Sequence, residues 1–454
     1  MKRYTKMAMA ILISLAMAAG LAACTGGTAP APAESGGERV QITYAIWGNE
    51  EEARNTQQTA DIFNASQDRI EVTAMHIPWE TYIEKLNTMA MAGELPDTAI
   101  MMESGVIQWA EQGMLLNLGG MYAPGEPRPL DSLAFTYQGQ PVAYSVANVF
   151  LMTFYNKQMF DNAGVPYPPA NAADAWTWDE FVENAKRLTF DGNGNTPNDP
   201  GFNEDGIVQY GAMVENLTWQ LEVWCLSNGS GFYDKDGNVT IDDPAAIEAI
   251  QRVADLHLVH NVAPLSTGLT DDGVQRSVVA GTVAMTTNGS WNIGTALAPA
   301  RDEGLLDFGV GVLPYMKERV TINTGGPNVV FSQTKHPEEA MEWLKWYGRE
   351  ENNWDNLIAT GIWNPVLESY YTDEALTRKW LENPAYPPFD MAKPVLVDYI
   401  KEYGRPTSWY YVNNTVNFND LLSSILGDVW TGRTTAEQVV TGNIAALRDA
   451  NQGF

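Results

Sequence analysis

The chain has 454 residues, 45% apolar and 11% aromatic, a composition too rich in large side chains for a disordered protein. That length holds roughly two to four domains or one large α/β unit. Lys and Arg number 27 against 56 Asp and Glu, a formal net charge of −29, and so acidic a surface repels a phosphate backbone, which excludes nucleic acid as a partner outside a local basic patch.

The N-terminus carries Lys2, Arg3 and Lys6, then an apolar run over 7–19, then Gly20-Leu21-Ala22-Ala23-Cys24. Basic, apolar and small residues in that order are a secretory signal, and about a dozen apolar residues fall short of the roughly 20 a spanning helix needs. Leu21-Ala22-Ala23-Cys24 resembles the lipobox of bacterial lipoproteins. The resemblance implies a signal peptide over 1–23 and an acylated Cys24 that begins the mature chain and anchors it in the membrane. Cleavage there removes three basic residues and no acidic one, taking the charge from −29 to −32. Residues 24–37 read as a flexible tether. Cys225 is then left without an intramolecular partner, so no disulfide is expected.

From Val40, the apolar residues Val40, Ile42, Tyr44 and Ile46 alternate with other positions, which predicts a strand ending at Trp47-Gly48. A helix follows over 50–66, then a second strand at Ile70, Val72 and Ala74. Over 79–92, Tyr82, Ile83, Leu86, Met89 and Ala90 recur at helical spacing. Pro96-Asp97 introduces a short apolar run over 99–102, and 106–112 reads as a helix stopped by Gly113. This alternation predicts a mostly parallel sheet covered on both faces. Thr177-Trp178-Asp179-Glu180 is a capping box, with Phe181, Val182, Ala185 and Leu188 as the apolar face behind it. Asp243-Pro244 supplies an N-cap and an N1 proline for another helix. His336-Pro337-Glu338-Glu339 and Thr434-Thr435-Ala436-Glu437 open two more. Residues 283–285 and 307–313 are the clearest later strands, and no repeat of fixed period occurs.

Catalytic signatures are mostly absent: the sequence has four histidines and no HExxH, paired CxxC, GxSxG or GxxxxGK[ST]. His257 and His260 share a helix at i, i+3 and read as helix surface. Carboxylates are numerous enough to leave a glycosidase-type acid–base pair open. The 15 tryptophans say more. Trp47, Trp291, Trp363 and Trp409 stand beside Gly, Asn or Ser near the ends of predicted elements, where α/β sheets bind ligands. Flat rings suit the C–H faces of sugars while Asn, Asp and Glu take hydroxyls. The competing reading for each is core packing, and Trp343, Trp346 and Trp430, inside helical patterns, are assigned to it. In the stretch 191–199, Asp191, Asn193, Asn195 and Asp199, with the carbonyl of Pro197, have EF-hand-like spacing for a structural Ca²⁺. Thr196 replaces the usual Gly and Phe202 the closing Glu, so Glu204 or Asp205 would complete the shell. A plain turn is the alternative, and no catalytic cofactor is expected.

Several segments in order resemble the extracellular solute-binding proteins of ABC importers, in the group of maltose-binding protein. They are Met91-Ala92-Gly93-Glu94-Leu95-Pro96-Asp97, Trp109-Ala110-Glu111-Gln112-Gly113-Met114-Leu115, Phe154-Tyr155-Asn156-Lys157 through Trp176-Thr177-Trp178, Gly281-Thr282-Val283-Ala284-Met285 with Gly289-Ser290-Trp291, Thr334-Lys335-His336-Pro337-Glu338-Glu339-Ala340, and Thr431-Gly432-Arg433-Thr434-Thr435-Ala436-Glu437. The resemblance implies an α/β, two-lobed periplasmic-binding-protein-like fold, each lobe a mostly parallel sheet flanked by helices, joined by a hinge that closes on the solute. The N-terminal lobe is expected over 38–147 with 327–368 and the C-terminal lobe over 148–326 with 369–454. Carried over residue by residue, it puts ligand contacts at Trp47, Asn49 and Glu51 after the first strand, and at Glu103 and Ser104. In the second lobe it adds Glu215, Asn216, Trp219, Asn288 and a stacking Trp291. Trp363, Trp409 and Tyr410 complete the aromatic set, although the C-terminal pair departs further from the family pattern. The family's calcium loop resembles the stretch at Asp191.

The implied protein is a monomeric receptor, lipid-anchored through Cys24 at the outer face of the cell membrane. It captures a carbohydrate, expected to be an oligosaccharide because several rings along one cleft stack successive sugars, and delivers it to separate ABC permease subunits. It binds and releases, and is not an enzyme. Two alternatives stay open: the same fold carrying a peptide, a polyamine or an organic phosphate, and a surface carbohydrate-active enzyme.

Overall fold

The first alternating run folds as β1 (Val40–Ile46), in which Ile42, Tyr44 and Ile46 are buried and so is Ala45, as in a strand covered on both faces. The computed structural model describes residues 39–47, 50–78, 81–265, 273–412 and 415–452. Cys24, the tether and Asn49 lie outside them, as does the side chain of Glu51. After β1 come α1 (Glu50–Ser66), β2 (Ile70–His76), α2 (Tyr82–Ala92), β3 (Thr98–Ile100) and α3 (Glu103–Glu111), the expected alternation. A hairpin of β4 (Thr136–Tyr137) and β5 (Gln140–Pro141) precedes β6 (Tyr144–Ser145) and β7 (Val149–Asn156). Next are α4 (Lys157–Ala163), α5 (Trp178–Leu188), β8 (Phe190–Asp191), β9 (Ile207–Val214), α6 (Thr218–Ser227) and α7 (Pro244–Leu258). The chain continues through β10 (Val283–Gly289), α8 (Ala298–Asp302), β11 (Phe308–Gly311), β12 (Thr321–Thr324), β13 (Pro327–Val330) and α9 (Pro337–Tyr347). Towards the C-terminus stand β14 (Gly404–Pro406) and the long helices Thr415–Trp430 and Ala436–Gln452.

The α/β fold is two-lobed, with one large sheet in each lobe and the β4-β5 hairpin apart from both. Strands in the order β2-β1-β3-β13-β6 make the first sheet; β14-β12-β7-β10-β9-β8, with β11 also on β7, make the second. The chain passes from one sheet to the other through 146–148 and back through Gly325-Gly326. These two crossings lie side by side, the Val146 amide donating to the Gly326 carbonyl at 3.0 Å, and a third passage after β13 leads to β14 in the second sheet. The expected mostly parallel sheets are present, and each also carries strands that run against its parallel majority. β1 is parallel to β2 and β3, β9 to β10 and β12 to β14. β13, however, runs antiparallel to β3 and β6, and β7 antiparallel to β10, β11 and β12. A strand arriving from the other lobe enters its new sheet from the hinge end and so runs against strands laid down by β-α-β turns.

Local signals account for most of the remaining framework. Thr177 Oγ1 accepts from the Glu180 amide at 3.2 Å while Glu180 accepts from the Thr177 amide at 2.8 Å, which closes the capping box, and the five apolar residues of α5 behind it are buried. Asp243 caps α7 through the Ala245 amide, with Pro244 in the first turn. The Pro96-Asp97 pair is explained by its carboxylate, which accepts from the Thr43 amide of β1 at 2.8 Å and the Thr334 hydroxyl at 2.5 Å. Trp343 is fully buried among Tyr44, Phe63 and Tyr347, the packing role assigned to it. No helix among the described residues is long and apolar enough to cross a membrane.

Candidate functional site

Three of the predicted tryptophans come together from three distant stretches. Trp219 is the second residue of α6, Trp291 follows β10 by two residues, and Trp409 lies in the 3-10 turn Ser408–Tyr410. The ring centres of Trp219 and Trp291 are 6.0 Å apart with planes at 37°, and those of Trp219 and Trp409 are 6.1 Å apart at 46°, so Trp219 is the middle ring. All three residues are half-buried, which leaves part of their surface to solvent. Gly289 is required for this arrangement: a Cβ there would stand 1.6 Å from the Trp291 ring. Ser290 ties the same turn to the hinge side, accepting from the Phe150 amide at 3.3 Å and from Asn364 Nδ2 at 2.8 Å.

Polar groups flank the three tryptophans along the chain. Asn288, at the end of β10, is buried, and its Oδ1 accepts from the Gly289 amide at 2.7 Å, from Asn292 at 3.3 Å and from Gln220 at 3.5 Å. Its oxygen thus shapes the turn that carries Trp291. Glu215 follows β9 and is buried against Gly273, where a Cβ would meet its Oε1 at 2.3 Å, and Asn216 beside it is half-buried. Glu222, one turn along α6 from Trp219, is 2% exposed and accepts from both the amide and the hydroxyl of Ser408. Its burial pushes the carboxyl up to about 7, a rise the Ser408 donors only partly oppose.

The turn that carries Trp409 also reaches the other lobe. Tyr410 stacks on Phe135 with ring centres 3.8 Å apart at 21°, and α3 packs against the turn. Glu103, the first residue of α3, accepts from Thr324 Oγ1 at 2.9 Å, and burial pushes it up to about 7. The Ser104 carbonyl accepts from Thr415 Oγ1 at 3.3 Å. A single turn therefore presents Trp409 to the second lobe and Tyr410 to the first, with a carboxyl on each side, Glu222 buried and Glu103 half-buried.

Other predicted residues fall elsewhere. Trp47 packs edge-to-face on Tyr82, 5.4 Å away, beside the first sheet. Trp363 is withdrawn into the core at 8% exposure and Tyr410 at 5%. Two surface depressions, about 340 Å³ beside Trp346 and about 430 Å³ between α5 and α7, are lined by none of the three clustered tryptophans. Sequence reasoning missed Gln220, Glu222, Ser408 and Phe135. The available signal was one carboxylate, Glu222, set among Leu221, Val223, Trp224 and Cys225.

The oxygen-rich loop has the geometry of a turn. Asp191 Oδ1 accepts from the amides of Asn193 and Asn195, and Oδ2 from Asn195 Nδ2 and the Asn203 amide. Burial alone would raise this carboxyl, yet those donors outweigh it and hold it at about 2. Asp199 turns back onto the amide and hydroxyl of Thr196, and the Asp205 amide donates to Asn203. The pattern recurs at Asp234, whose Oδ1 accepts from the Asp236 and Asn238 amides and whose Oδ2 accepts from Asn238 Nδ2. Gly194 and Gly237 hold equivalent positions at φ 84° and 80°. Among the described residues no three His, Cys, Asp or Glu side chains converge on one point. As placed, the carboxylates of Asp191 and Asp199 serve amides of their own loop, and calcium at Asp191, Asn193, Asn195, Pro197, Asp199 and Asp205 is not shown by this geometry.

The sequence model of the bacterial extracellular solute-binding protein family matches residues 27–354. A Brucella abortus protein is 25% identical over 296 residues, an alignment that takes in 62% of this chain and 65% of that one, so the chain matches less than two thirds of this relative's length. Two solved structures share the fold. An ABC substrate-binding protein from Listeria monocytogenes in complex with cycloalternan has a TM-score of 0.73 at 21% identity, covering 92% of this chain and all of that one. The GacH receptor of Streptomyces glaucescens, solved unliganded and with acarbose, has a TM-score of 0.72 at 20% identity, covering 92% and 99%.

Proposed function

Because the chain belongs to the bacterial extracellular solute-binding protein family, we propose that it is the substrate receptor of an ABC importer and that its solute is an oligosaccharide. The observation that carries this reading is the row Trp291-Trp219-Trp409, half-buried and drawn from three parts of the chain. Tilted indoles about 6 Å apart offer successive apolar faces, which suits the C–H faces of linked sugar rings better than a compact cation or anion. The cycloalternan and acarbose held by the Listeria and Streptomyces proteins support the same class.

In this reading Trp291, Trp219 and Trp409 stack on the sugar, and Glu215, Asn216 and Glu103 take hydroxyls. Ser104, Trp47, Asn49 and Glu51 meet the solute from the first lobe as the lobes close over it, residues 38–147 with 327–368 moving against 148–326 with 369–454. Asn288 holds the Trp291 turn. Binding is followed by release to separate permease subunits, without covalent chemistry. The mature chain is a monomer held at the outer face of the cell membrane by acyl groups on Cys24. Calcium at the Asp191 loop is not part of the reading, since the loop's carboxylates already meet their own amides.

Intrinsic tryptophan fluorescence and thermal shift, read against a panel of mono- and oligosaccharides, peptides and polyamines, test it. A linear or cyclic oligosaccharide that moves both signals saturably and is recovered intact after long incubation is the expected result. A response confined to peptides or amines overturns the sugar assignment, and cleavage of the sugar overturns the receptor.

A further inference from the structure

Glu222 is an expensive residue where it stands. It sits on α6 among the buried Leu221, Val223, Trp224 and Cys225, is 2% exposed, and has no Lys or Arg among its hydrogen-bond partners. An apolar side chain would fill the position without removing a carboxyl from water. What the carboxyl does is hold Ser408: both its oxygens accept from the Ser408 amide at 3.3 Å and Oε2 accepts from the Ser408 hydroxyl at 3.2 Å, across 186 residues of chain. Ser408 is bonded to Trp409, whose ring faces Trp219, and Trp219 lies three residues before Glu222 on the same face of the same helix. The helix that supplies the middle ring therefore also supplies the clamp for its neighbour.

We propose that Glu222 is a positioning residue for solute binding: by clamping the Ser408 amide and hydroxyl it fixes Trp409 against Trp219, so that the two indoles form one preformed surface before solute arrives. The proposal rests on the reading of these rings as the binding surface, and pre-organisation of this kind raises affinity by removing the ordering cost from the binding step. Cys225, Tyr233 and Tyr411 are the other titratable groups around the carboxyl, and none is a cation. Neutral Gln at position 222 retains an acceptor for Ser408, whereas Leu fills the volume with none.

The experiment compares the parent with Glu222→Gln, Glu222→Leu, Ser408→Ala and Trp409→Phe in the mature chain. Ligand-free circular dichroism reads the Trp219–Trp409 pair, because two indoles this close couple their ultraviolet transitions, and Trp409→Phe defines the part of the couplet that Trp409 supplies. Calorimetric titration with maltotriose as the probe reads affinity. Expected are a parent-like couplet and affinity in Glu222→Gln, and in Glu222→Leu a couplet matching Trp409→Phe with affinity lowered roughly tenfold, about one lost stacking face. Ser408→Ala, which keeps the amide donor, falls between them and replaces Glu222→Leu should that variant not fold. A parent-like couplet in Glu222→Leu or, in its place, in Ser408→Ala overturns the proposal. If the parent itself ignores maltotriose, the sugar reading loses that probe while the couplet still decides whether Glu222 positions Trp409.

Discussion

Trp291 keeps its place because its neighbour has no side chain. With a Cβ at Gly289 the indole would have to leave the row, since the atoms would be 1.6 Å apart. Trp291→Ala is therefore expected to lose about 1–3 kcal/mol of sugar affinity by titration calorimetry, the range for a stacking aromatic. The melting temperature of the unliganded protein should scarcely change, because the ring is half-open to solvent. Equal affinity in parent and variant would remove Trp291 from the site. A second residue-scale prediction concerns Asp191. Its oxygens are already occupied by three amides and a side-chain amide, so EDTA should leave the melting temperature where it is while Asp191→Ala lowers it. A fall with EDTA that added Ca²⁺ restores would establish an ion there. These residues show how far the sequence carries. Tryptophans beside Gly, Asn and Ser at element ends were legible as a surface, and two of them, Trp291 and Trp409, do lie against Trp219, which the family resemblance supplied. The spacing of Asp191, Asn193 and Asn195 was legible as oxygen donors but not as to what they accept from, because a turn and a cation ask for the same side chains. Glu222 was hidden for a different reason: its partner is 186 residues away and has no signature of its own.

At the scale of elements, whatever is decided within a few residues could be read in advance. Alternation gave β1 and β2, and the capping box gave the start of α5 to the residue, since both depend on neighbours in sequence. Strand direction depends on where the chain comes from, and the crossings at 146–148 and Gly325-Gly326 carry no local pattern that marks them. That is why antiparallel β7 and β13 were missed. The 3-10 turn Ser408–Tyr410 is of the same kind, held by Glu222 from one lobe and stacked on Phe135 of the other. The local and non-local classes separate by mutation. Thr177→Ala removes a cap whose amide partner is three residues away, so it should cost about 1 kcal/mol of stability in denaturant unfolding. Sugar affinity should be unchanged, because the cap's hydrogen bonds close within its own first turn. A loss of affinity comparable to that of Trp291→Ala would mean that the start of α5 communicates with the row of rings.

The whole molecule carries a formal charge of −29 and yet keeps some of its carboxyls away from water. Glu222 and Glu350 are 2% and 3% exposed. Glu350 Oε1 accepts from the amides of Val366 at 2.9 Å and Leu367 at 2.8 Å, and its Oε2 has no hydrogen-bond partner among the described residues. Burial pushes both groups from 4.5 up to about 7, and Glu103 moves the same way. The folded chain then holds protons that the unfolded chain has released, so this contribution to stability is complete below pH 4.5 and is lost as pH rises to about 7. Each group accounts for on the order of 3 kcal/mol, because every tenfold gain in proton affinity on folding is worth about 1.4 kcal/mol. Repulsion among the surface carboxylates grows over the same interval, but salt screens it and does not reach the buried pair. Calorimetric melting at high salt should thus fall between pH 4.5 and 7 and level off above, and Glu350→Gln should flatten the slope by removing one of the protons. A melting temperature that stays constant or rises across that interval at high salt would mean that Glu222 and Glu350 are already ionised in the folded protein. The clamp on Ser408 would then be a carboxylate rather than a neutral acid.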